Sequence, residues 1–351
     1  MNKVSRKRVA IIGASGLVGQ RFCQLLSNHP FFDEPDLYAW QRSDSRKLEE
    51  IIRVPSNTIS DSLLEKRLSI LDARRVISEK YDAIFSAIPT STDNNIELQL
   101  QKAGNRIFTN SATNRMLESV PIVVPEINSD HMEMFRDQCG YIIANGNCST
   151  IGLAIPLKPL IPLGPDHIEV TTMQALSGAG YPGVPSLDAV SNIVPFIESE
   201  EEKIQREMPK VFGTLDGKKI TPRNLDLGIT CTRIPVREGH TESVTVRFSG
   251  NIEDEDISGL LSGFRAYPQA KNLPSAPAQP IIVTGSDYRP QPELDLWNGT
   301  PERARGMAVT VGRIRKNGNY LRFVTLSHNT IRGAAGASVL NAEIAHSKGL
   351  L

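Results

Sequence analysis

The stretch Arg8–Leu26, RVAIIGASGLVGQRFCQLL, decides the fold class of the chain. It opens as an apolar run, turns at glycine and continues with apolar residues at helical spacing, which predicts a strand, a tight turn and a helix. A helix that starts at such a turn offers free N–H groups and a partial positive charge to a pyrophosphate. The pattern GxxGxxG departs from GxGxxG, so a plain tight turn remains an alternative at this point.

Strands and helices continue to alternate after this unit. Apolar runs predict strands over residues 36–40, 82–87 and 106–110, and a helix over residues 94–103. Such alternation is typical of a parallel, doubly wound sheet. The first part of the chain is therefore expected to be an α/β, Rossmann-like domain over residues 1–147.

The composition and the periodicity of the sequence change after Cys148. Segments such as IEVTTMQALSG, TESVTVRFSG and YLRFVTLSHN are rich in β-formers, several of them alternate, and polar helical stretches separate them. This pattern predicts a second domain, of the α+β class with a mostly antiparallel sheet, over residues 148–329. The final residues 330–351 are expected to form a helix that returns to the first domain.

Composition excludes several classes of protein. The 351 residues carry 39 Lys+Arg and 39 Asp+Glu, so no bulk charge favours nucleic acid or an anionic membrane. No run approaches the roughly 18 apolar residues of a membrane span. The four cysteines are scattered and form no metal-binding spacing, which favours a cytoplasmic protein with free thiols and no metal.

The end of the second predicted strand bears on cofactor choice. An NAD-specific site usually has a carboxylate there, but Ala39 is followed by Trp-Gln-Arg-Ser before Asp44. Arg42 and Ser43 can instead hold a 2′-phosphate, which favours NADP. Arg42 as a plain surface residue remains the alternative.

Cys148 lies in ANGNCSTIGLA, directly before a predicted helix over Ser149–Leu157. A helix N-terminus favours the thiolate, and its amides can stabilise an oxyanion formed by attack of the sulfur. His240, between two strand-like segments, is the candidate acid/base for such a thiol. His29, His131, His167 and His346 are expected to be exposed, and an inert thiol remains the alternative for Cys148.

Arginines and carboxylates add further candidates. Arg115 and Arg233 can clamp a carboxylate or phosphate in a bidentate manner. The run Glu200–Lys203 is, without further information, typical of a solvated helical face.

Several segments together resemble aspartate-semialdehyde dehydrogenases of the archaeal and fungal type. They occur in the order of that family and span nearly the whole chain: GASGLVGQRF, SAIPTS, NSATNRM, VPEIN, NGNCSTIGL, TTMQALSGAGYPGVPSLDAV, EEEKIQRE, RIPVREGHTESV and HNTIRGAAG. The resemblance implies that Cys148 is the acylated nucleophile, His240 the acid/base and Gln174 the residue that orients the acyl group.

The resemblance also implies the residues that bind substrate and cofactor. The substrate contacts implied are Asn114, Arg115, Glu201, Lys203 and Arg233, with Glu200 or Glu202 in place of Glu201 if the motif is shifted by one residue. The NADP contacts implied are Gly13, Ser15, Gly16, Leu17, Val18, Arg42, Ser43, Ser86, Thr90, Gly178 and Asn329. Asn329 departs from bacterial relatives, which have aspartate there.

The implied reaction is NADPH-dependent conversion of L-4-aspartyl phosphate to L-aspartate 4-semialdehyde through a cysteine thioester. It serves the synthesis of lysine, threonine, methionine and isoleucine. The implied assembly is a homodimer or homotetramer, formed through residues 148–329 as the catalytic and dimerisation domain. Malonyl-CoA reductase of the same superfamily, N-acetylglutamyl-phosphate reductase and a non-catalytic nucleotide-binding protein remain as alternatives.

Overall fold

A computed structural model describes residues 6–40, 43, 45–89 and 95–351. The first part of the chain forms a six-stranded sheet in the order β3-β2-β1-β4-β5-β6, with every pairing parallel. Its strands are β1 (Val9–Ile12), β2 (Asp36–Ala39), β3 (Ser69–Ile70), β4 (Ala83–Ser86), β5 (Arg106–Thr109) and β6 (Tyr141–Ala144). Its helices are α1 (Leu17–Leu26), α2 (Asp61–Leu64), α3 (Ala73–Ser78), α4 (Ile96–Lys102) and α5 (Pro125–Asn128).

The central strands of this sheet are buried on both faces. All four residues of β1, β4 and β6 are buried, which explains their continuous apolar runs. The predicted α/β, Rossmann-like architecture is confirmed, and the observed strands end within one residue of the predicted ones.

The second part of the chain forms another six-stranded sheet, in the order β10-β7-β11-β14-β13-β12. Its strands are β7 (Pro165–Gln174), β10 (Leu227–Arg233), β11 (His240–Phe248), β12 (Ile281–Val283), β13 (Val309–Asn317) and β14 (Tyr320–Ser327), and β8 (Thr214–Asp216) pairs with β9 (Lys219–Thr221) in a separate ribbon. The helices of this part are α6 (Cys148–Leu157), α7 (Ser186–Ala189), α8 (Glu200–Val211), α9 (Ile257–Gly263), α10 (Tyr267–Ala270) and α11 (Pro292–Asp295). Three central pairings are antiparallel and the two edge pairings are parallel. The expectation of a mostly antiparallel sheet is confirmed.

The chain ends beside the first sheet. A π-helical turn over Ile331–Ala335 leads into α12 (Gly336–Ser347), which is buried over most of its length. Val339 and Leu340 share a core with Phe108 of β5. The division of the chain at residue 147 itself stays a prediction.

Two histidines expected at the surface are buried. His29 lies within hydrogen-bond distance of Glu343, with 2.9 Å between Nε2 and Oε1, and His131 lies 3.1 Å from the carbonyl oxygen of Gly213. Each ring is satisfied by a partner distant in sequence, which local polarity could not reveal. His167 and His346 are half-buried. Within the described ranges, no helix has the length and apolarity that crossing a membrane requires.

Candidate active site

A cleft of about 690 Å³ lies between the two sheets. Its wall includes the turn Ser15–Val18, the loop after β4 and the start of α6 at Cys148. The ends of parallel strands and the N-termini of two helices therefore meet one cavity, which is where ligands bind in open α/β sheets.

The glycine turn is shaped by close backbone approaches. Gly13 has φ +86°, and a Cβ there would lie 2.7 Å from the carbonyl oxygen of Ala87. A Cβ on Gly19 would lie 2.2 Å from the carbonyl oxygen of Gly13, so this glycine lets α1 pack onto the turn. The first turn of α1 contains no carboxylate in sequence, and its N-terminus faces the cleft. This cradle fits the pyrophosphate of a dinucleotide.

The candidate NADP contacts fall into three groups. Ser15, Gly16, Leu17, Val18, Gly178 and Asn329 line the cleft, and Gly13 lies behind them in the turn. Ser86 is fully buried at the end of β4, and Ser43 lies in a turn after β2, where its N–H donates to the Trp40 carbonyl. Arg42 and Thr90 lie outside the described residues.

Cys148 is the first residue of α6 and lines the cleft, and its sulfur contacts the fully buried ring of His240. The distance from Cys148 Sγ to His240 Nε2 is 3.1 Å. The N–H of Ala175 donates to His240 Nδ1 at 3.0 Å. Because Nδ1 accepts this bond, a neutral ring carries its proton on Nε2, where it points at the sulfur.

The free site holds a neutral thiol beside a neutral imidazole. Burial, and then the Glu200 carboxylate, raise the pKa of the Cys148 thiol to about 12 against the opposing effect of Arg115 and Arg233. Burial, then Arg233 and His328, lower the pKa of His240 to about 3. The Ser149 N–H at the start of the helix lowers the pKa of the thiol, as expected, but burial and the Glu200 carboxylate outweigh this effect in the free site.

The cap of α6 also uses amides that were expected to hold an oxyanion. The side-chain oxygen of Asn147 accepts from the N–H groups of Ser149 at 2.9 Å and Thr150 at 3.3 Å. An N-cap of this kind fixes the start of the helix, and with it the position of the sulfur.

Helix α8 presents Glu200 and Lys203 to the cleft, one turn apart. Glu200 Oε1 accepts from Asn147 Nδ2 at 2.5 Å and from Gln174 Nε2 at 3.1 Å. Glu201 instead accepts from the N–H of Cys231 at 2.9 Å, and Glu202 is exposed. Helical periodicity puts residues 200 and 203 on one face, so the structure places Glu200, and not Glu201, among the residues of the site.

The two arginines flank the nucleophile. Arg115 lines the cleft and pairs with Glu207 at 2.9 Å. Arg233 donates to the Ala175 carbonyl at 2.8 Å, and a Cβ on Gly178 would lie 2.7 Å from its Nη1 atom. Their charges oppose the effect of burial on the pKa of the Cys148 thiol. Arg115 can bind an anionic group in the cleft, whereas Arg233 is buried beside Gly178, which lines it.

Gln174 and Asn114 have different surroundings. Gln174 ends β7, and its side chain is held between Glu200 and the hydroxyl of Thr172, which donates to Gln174 Oε1 at 3.0 Å. Asn114 is buried and donates to Glu97 Oε2 at 2.9 Å, away from the cleft residues. The structure thus brings Gln174 to the site and leaves Asn114 behind it.

Sequence reasoning missed three residues near the site. Glu207 contacts Arg115, and Glu238 accepts two bonds from Arg21 of α1, at 2.6 and 2.8 Å. His328 is fully buried against Trp297, with 4.5 Å between ring centroids. Spacing gave a signal for Glu207, which follows Glu200 by seven residues on one helix. Glu238 lies two residues before His240, and His328 lies directly before Asn329. Proximity in sequence to these two candidate residues was therefore a signal for both.

The chain matches two family models: "Semialdehyde dehydrogenase, NAD binding domain" over residues 8–135 and "Semialdehyde dehydrogenase, dimerisation domain" over residues 157–332. It is 40% identical over 347 residues to the aspartate-semialdehyde dehydrogenase of Archaeoglobus fulgidus, covering 97% of this chain and 98% of that one. It is also 34% identical over 355 residues to a malonyl CoA reductase (NADP) of Metallosphaera sedula, with 98% of each covered.

A solved structure of aspartate-semialdehyde dehydrogenase with NADP from Candida albicans superimposes with a TM-score of 0.87 at 34% identity, covering 98% of this chain and 100% of that one. The similarity thus extends over both sheets and over the segments that build the cleft. On these grounds the chain belongs to the aspartate-semialdehyde dehydrogenase family.

Proposed function

We propose that the protein converts L-4-aspartyl phosphate to L-aspartate 4-semialdehyde with NADPH, releasing phosphate, in the synthesis of lysine, threonine, methionine and isoleucine. The observation that carries this proposal is the contact of 3.1 Å between Cys148 Sγ and His240 Nε2 in a cleft that begins at the glycine turn. The names of the relatives support the same reaction.

NADPH supplies the hydride when it is bound. The amides at Ser15–Val18 are suited to its pyrophosphate, and Gly178 and Asn329, which line the cleft together with Cys148, are proposed to hold the nicotinamide. Asn329 is held in place, because its Nδ2 donates to Ser177 Oγ at 2.7 Å and its Oδ1 accepts from the N–H of Gly239 at 2.9 Å. Arg42 and Ser43 are proposed for the 2′-phosphate, with Ser86 and Thr90 at the neighbouring strand end.

The first chemical step forms a thioester on Cys148. The sulfur attacks the acyl carbon of the substrate, the bond from that carbon to the phosphate oxygen breaks, and the thiol proton leaves on the departing phosphate. His240 donates its Nε2 proton as a hydrogen bond to the sulfur, which stabilises the negative charge that develops there.

The second step returns the sulfur. Hydride adds to the acyl carbon of the thioester, the carbonyl re-forms, and the sulfur leaves as a thiolate that regains a proton from solvent. The hydrogen bond from His240 Nε2 stabilises this leaving thiolate as well. The acid/base role of His240 stays a prediction, and the contact of 3.1 Å adds the role of a hydrogen-bond donor at the sulfur.

The charged residues around Cys148 are suited to the substrate. Arg233 is proposed for the substrate carboxylate, Glu200 for its amino group, and Arg115 with Lys203 for the phosphate. Lys203 lies 3.7 Å from Glu200, so a cation and an anion are presented side by side. Gln174 is held by Glu200 and is proposed to orient the acyl group.

We further propose a homodimer or homotetramer formed through the second domain, in the cytoplasm. Four large apolar side chains in the segment after β7 are strongly exposed in the isolated chain: Leu187, Val190, Ile193 and Phe196. An apolar surface of this kind is typical of a subunit interface. Four free cysteines support a reducing compartment.

The reaction is tested by following NADP reduction with aspartate semialdehyde and phosphate. Activity is expected for the unaltered protein and at least a thousandfold less for Cys148→Ser, because a hydroxyl is a far weaker nucleophile than a thiol at neutral pH (~10³ or more). NADPH binding, followed by its fluorescence, should be the same in both proteins. Equal loss of binding would indicate misfolding of the variant and not loss of chemistry.

A second candidate function rests on the relative named malonyl CoA reductase (NADP). The same preparation is therefore assayed for NADPH oxidation with malonyl-CoA. Activity with malonyl-CoA alone would replace the proposed substrate, and activity with neither substrate would favour a nucleotide-binding protein without catalysis.

A further inference from the structure

Glu207 is a buried carboxylate of α8 that joins two parts of the active site. It is 3% exposed. Its Oε1 atom accepts from Arg115 Nη1 at 2.9 Å, and its Oε2 atom accepts from the N–H of Asn147 at 2.5 Å. One side chain therefore contacts both the arginine proposed for the phosphate and the residue that precedes the nucleophile.

The guanidinium of Arg115 is held by two hydrogen bonds and keeps a third donor, Nε, available. Its Nη2 atom donates to the carbonyl of Asn110 at 2.9 Å, while Nη1 is held by Glu207. The buried Nε atom has no hydrogen-bond partner in the part of the chain that the structure describes. A buried, unpaired donor of this kind beside the cleft is suited to an anion, and its direction depends on the contact with Glu207.

Asn147 connects Glu207 to the start of α6, and so to the position of the Cys148 sulfur. Its side chain caps α6, where Cys148 is the first residue, and its Nδ2 atom binds Glu200. The preceding residue is Gly146, where a Cβ would lie 3.3 Å from Glu207 Oε2. The glycine thus leaves room for the carboxylate to reach the backbone, and Glu207 sets the position of the turn that carries Cys148.

A different side chain of α8 holds the loop of Arg115 in place. Lys210 is buried and donates to the carbonyls of Arg115, Leu117 and Val120 at 2.7, 2.8 and 2.7 Å. Loss of Glu207 therefore leaves the backbone of this loop anchored while it releases the guanidinium. This separation allows the effect on the anion site to be measured apart from an effect on folding.

We propose that Glu207 is a positioning residue that fixes the spacing between the phosphate-binding Arg115 and the Cys148 sulfur. This inference rests on the proposed function. It assigns Glu207 no contact with the substrate, since both of its oxygens are used by Arg115 and Asn147. The phosphate group is attached through oxygen to the acyl carbon that the sulfur attacks, so the distance between Arg115 and Cys148 determines whether both groups of the substrate can be bound together.

The test is Glu207→Gln, which keeps the size of the side chain but replaces one acceptor oxygen by an NH2 group. Either Arg115 or the N–H of Asn147 then loses its acceptor. In the direction of NADP reduction, we expect the KM for phosphate to rise about tenfold or more, as for loss of a charge-assisted hydrogen bond. The KM values for semialdehyde and NADP should stay within about threefold. In a double-mutant cycle with Arg115→Lys, the two effects should be far from multiplicative.

The matched control is Glu126→Gln, which breaks another buried ion pair, with Arg332, outside the cleft. It should lower stability in a comparable way and leave the KM for phosphate unchanged. An unchanged KM for phosphate in Glu207→Gln, or an equal rise in all three KM values, would overturn the proposal. Glu207→Asp, which can reach only one partner, is expected to show the same selective effect if the glutamine variant does not fold.

A second measurement needs no turnover. Phosphate is expected to slow alkylation of Cys148 by iodoacetamide in the unaltered protein, and about tenfold more phosphate should be needed in Glu207→Gln. Equal protection in both proteins would refute the positioning role. Failure of the unaltered protein to turn over semialdehyde with phosphate would instead refute the proposed function, so the two failures are distinguishable.

Discussion

The nucleophile of this protein is held in its neutral form. Cys148 is half-buried at the wall of the cleft, where the Glu200 carboxylate acts on it, and it receives a hydrogen bond from the Nε2 proton of His240. The Ala175 N–H prevents the ring from holding a second proton on Nδ1 without losing that bond. The pair is therefore a thiol beside a donor imidazole, and not an ion pair of thiolate and imidazolium.

This arrangement predicts the pH dependence of Cys148 alkylation by iodoacetamide in the free protein. Because the pKa of the thiol is about 12, the thiolate fraction rises tenfold per pH unit, and the rate should keep rising from pH 7 to pH 9. His240, whose pKa is about 3, should cause no break near pH 6.5.

The measurement uses a Cys139→Ser background, which removes the exposed thiol, and mass spectrometry to assign the modified residue. His240→Ala in the same background should lower the rate at every pH, since the thiolate loses its donor. A rate that levels off near pH 8.5 in the parent would contradict the raised pKa of the thiol.

Residue roles were predictable only where neighbouring residues in sequence carry the signal. Cys148, Gln174 and His240 stand in distinctive segments, and the structure brings all three together. Three consecutive carboxylates precede Lys203, so the motif alone could not choose Glu200. That choice depends on the phase of α8 against the sheet. The pKa of the thiol was missed because helix position is readable from sequence and burial is not.

At the scale of elements, the β1–α1 unit depends on a contact between backbone atoms. The carbonyl of Gly13 lies where a Cβ on Gly19 would stand, at 2.2 Å. The atoms that such a Cβ would meet all belong to the backbone of Gly13 and Ala14. No flexible side chain can move aside, so the turn and the helix can adjust only together. The geometry of the pyrophosphate cradle is thus set by the absence of one methyl group.

Gly19→Ala is accordingly predicted to displace α1 from the turn. We expect the free energy of unfolding to fall by about 1–3 kcal/mol, as for overpacking, and, in the direction of NADP reduction, the KM for NADP to rise more than the KM for semialdehyde. Chemical denaturation and steady-state kinetics measure the two effects. The control is Gly263→Ala in α9, where a Cβ meets no described atom within 4 Å. A neutral Gly19→Ala would show that the turn tolerates the shift.

The elements themselves differ in how far sequence could predict them. Four of the six strands of the first sheet were predicted, because buried parallel strands are continuous apolar runs. The short edge strand β3 and the buried strand β6 were not predicted. The parallel pairings of β10 with β7 and of β12 with β13 were not foreseen. Pairing of these edge strands is set by contacts between segments far apart in sequence, which composition and periodicity do not encode.

At the scale of the whole molecule, the active site is a product of both sheets. Glycine-turn residues come from the first sheet, His240 from the second, and α8 supplies Glu200, Lys203 and Glu207 from the side. The C-terminal segment closes the floor, where a Cβ on Gly333 would lie 2.7 Å from that of Cys148. Relative movement of the two sheets would therefore change the distance between cofactor and nucleophile.

The second domain also exposes an apolar surface that a monomer does not explain. Leu187 is 91% exposed, Val190 68% and Ile193 62%, and all three follow the loop that carries Gly178. Exposure of apolar surface to water is unfavourable by about 25 cal/mol per Å². Burial against a second copy of the chain, as proposed above, would remove this cost.

The double variant Val190→Glu, Ile193→Glu is therefore predicted to be a monomer at micromolar concentration, whereas the parent is a dimer or tetramer. Two carboxylates on each copy would repel each other and stay unpaired in a buried interface. Sedimentation velocity measures the mass, with Leu260→Glu, a 38% exposed apolar residue of α9, as the control that keeps the parental state. A parent that sediments as a monomer would refute the proposed assembly, and an unchanged mass of the double variant would place the interface elsewhere.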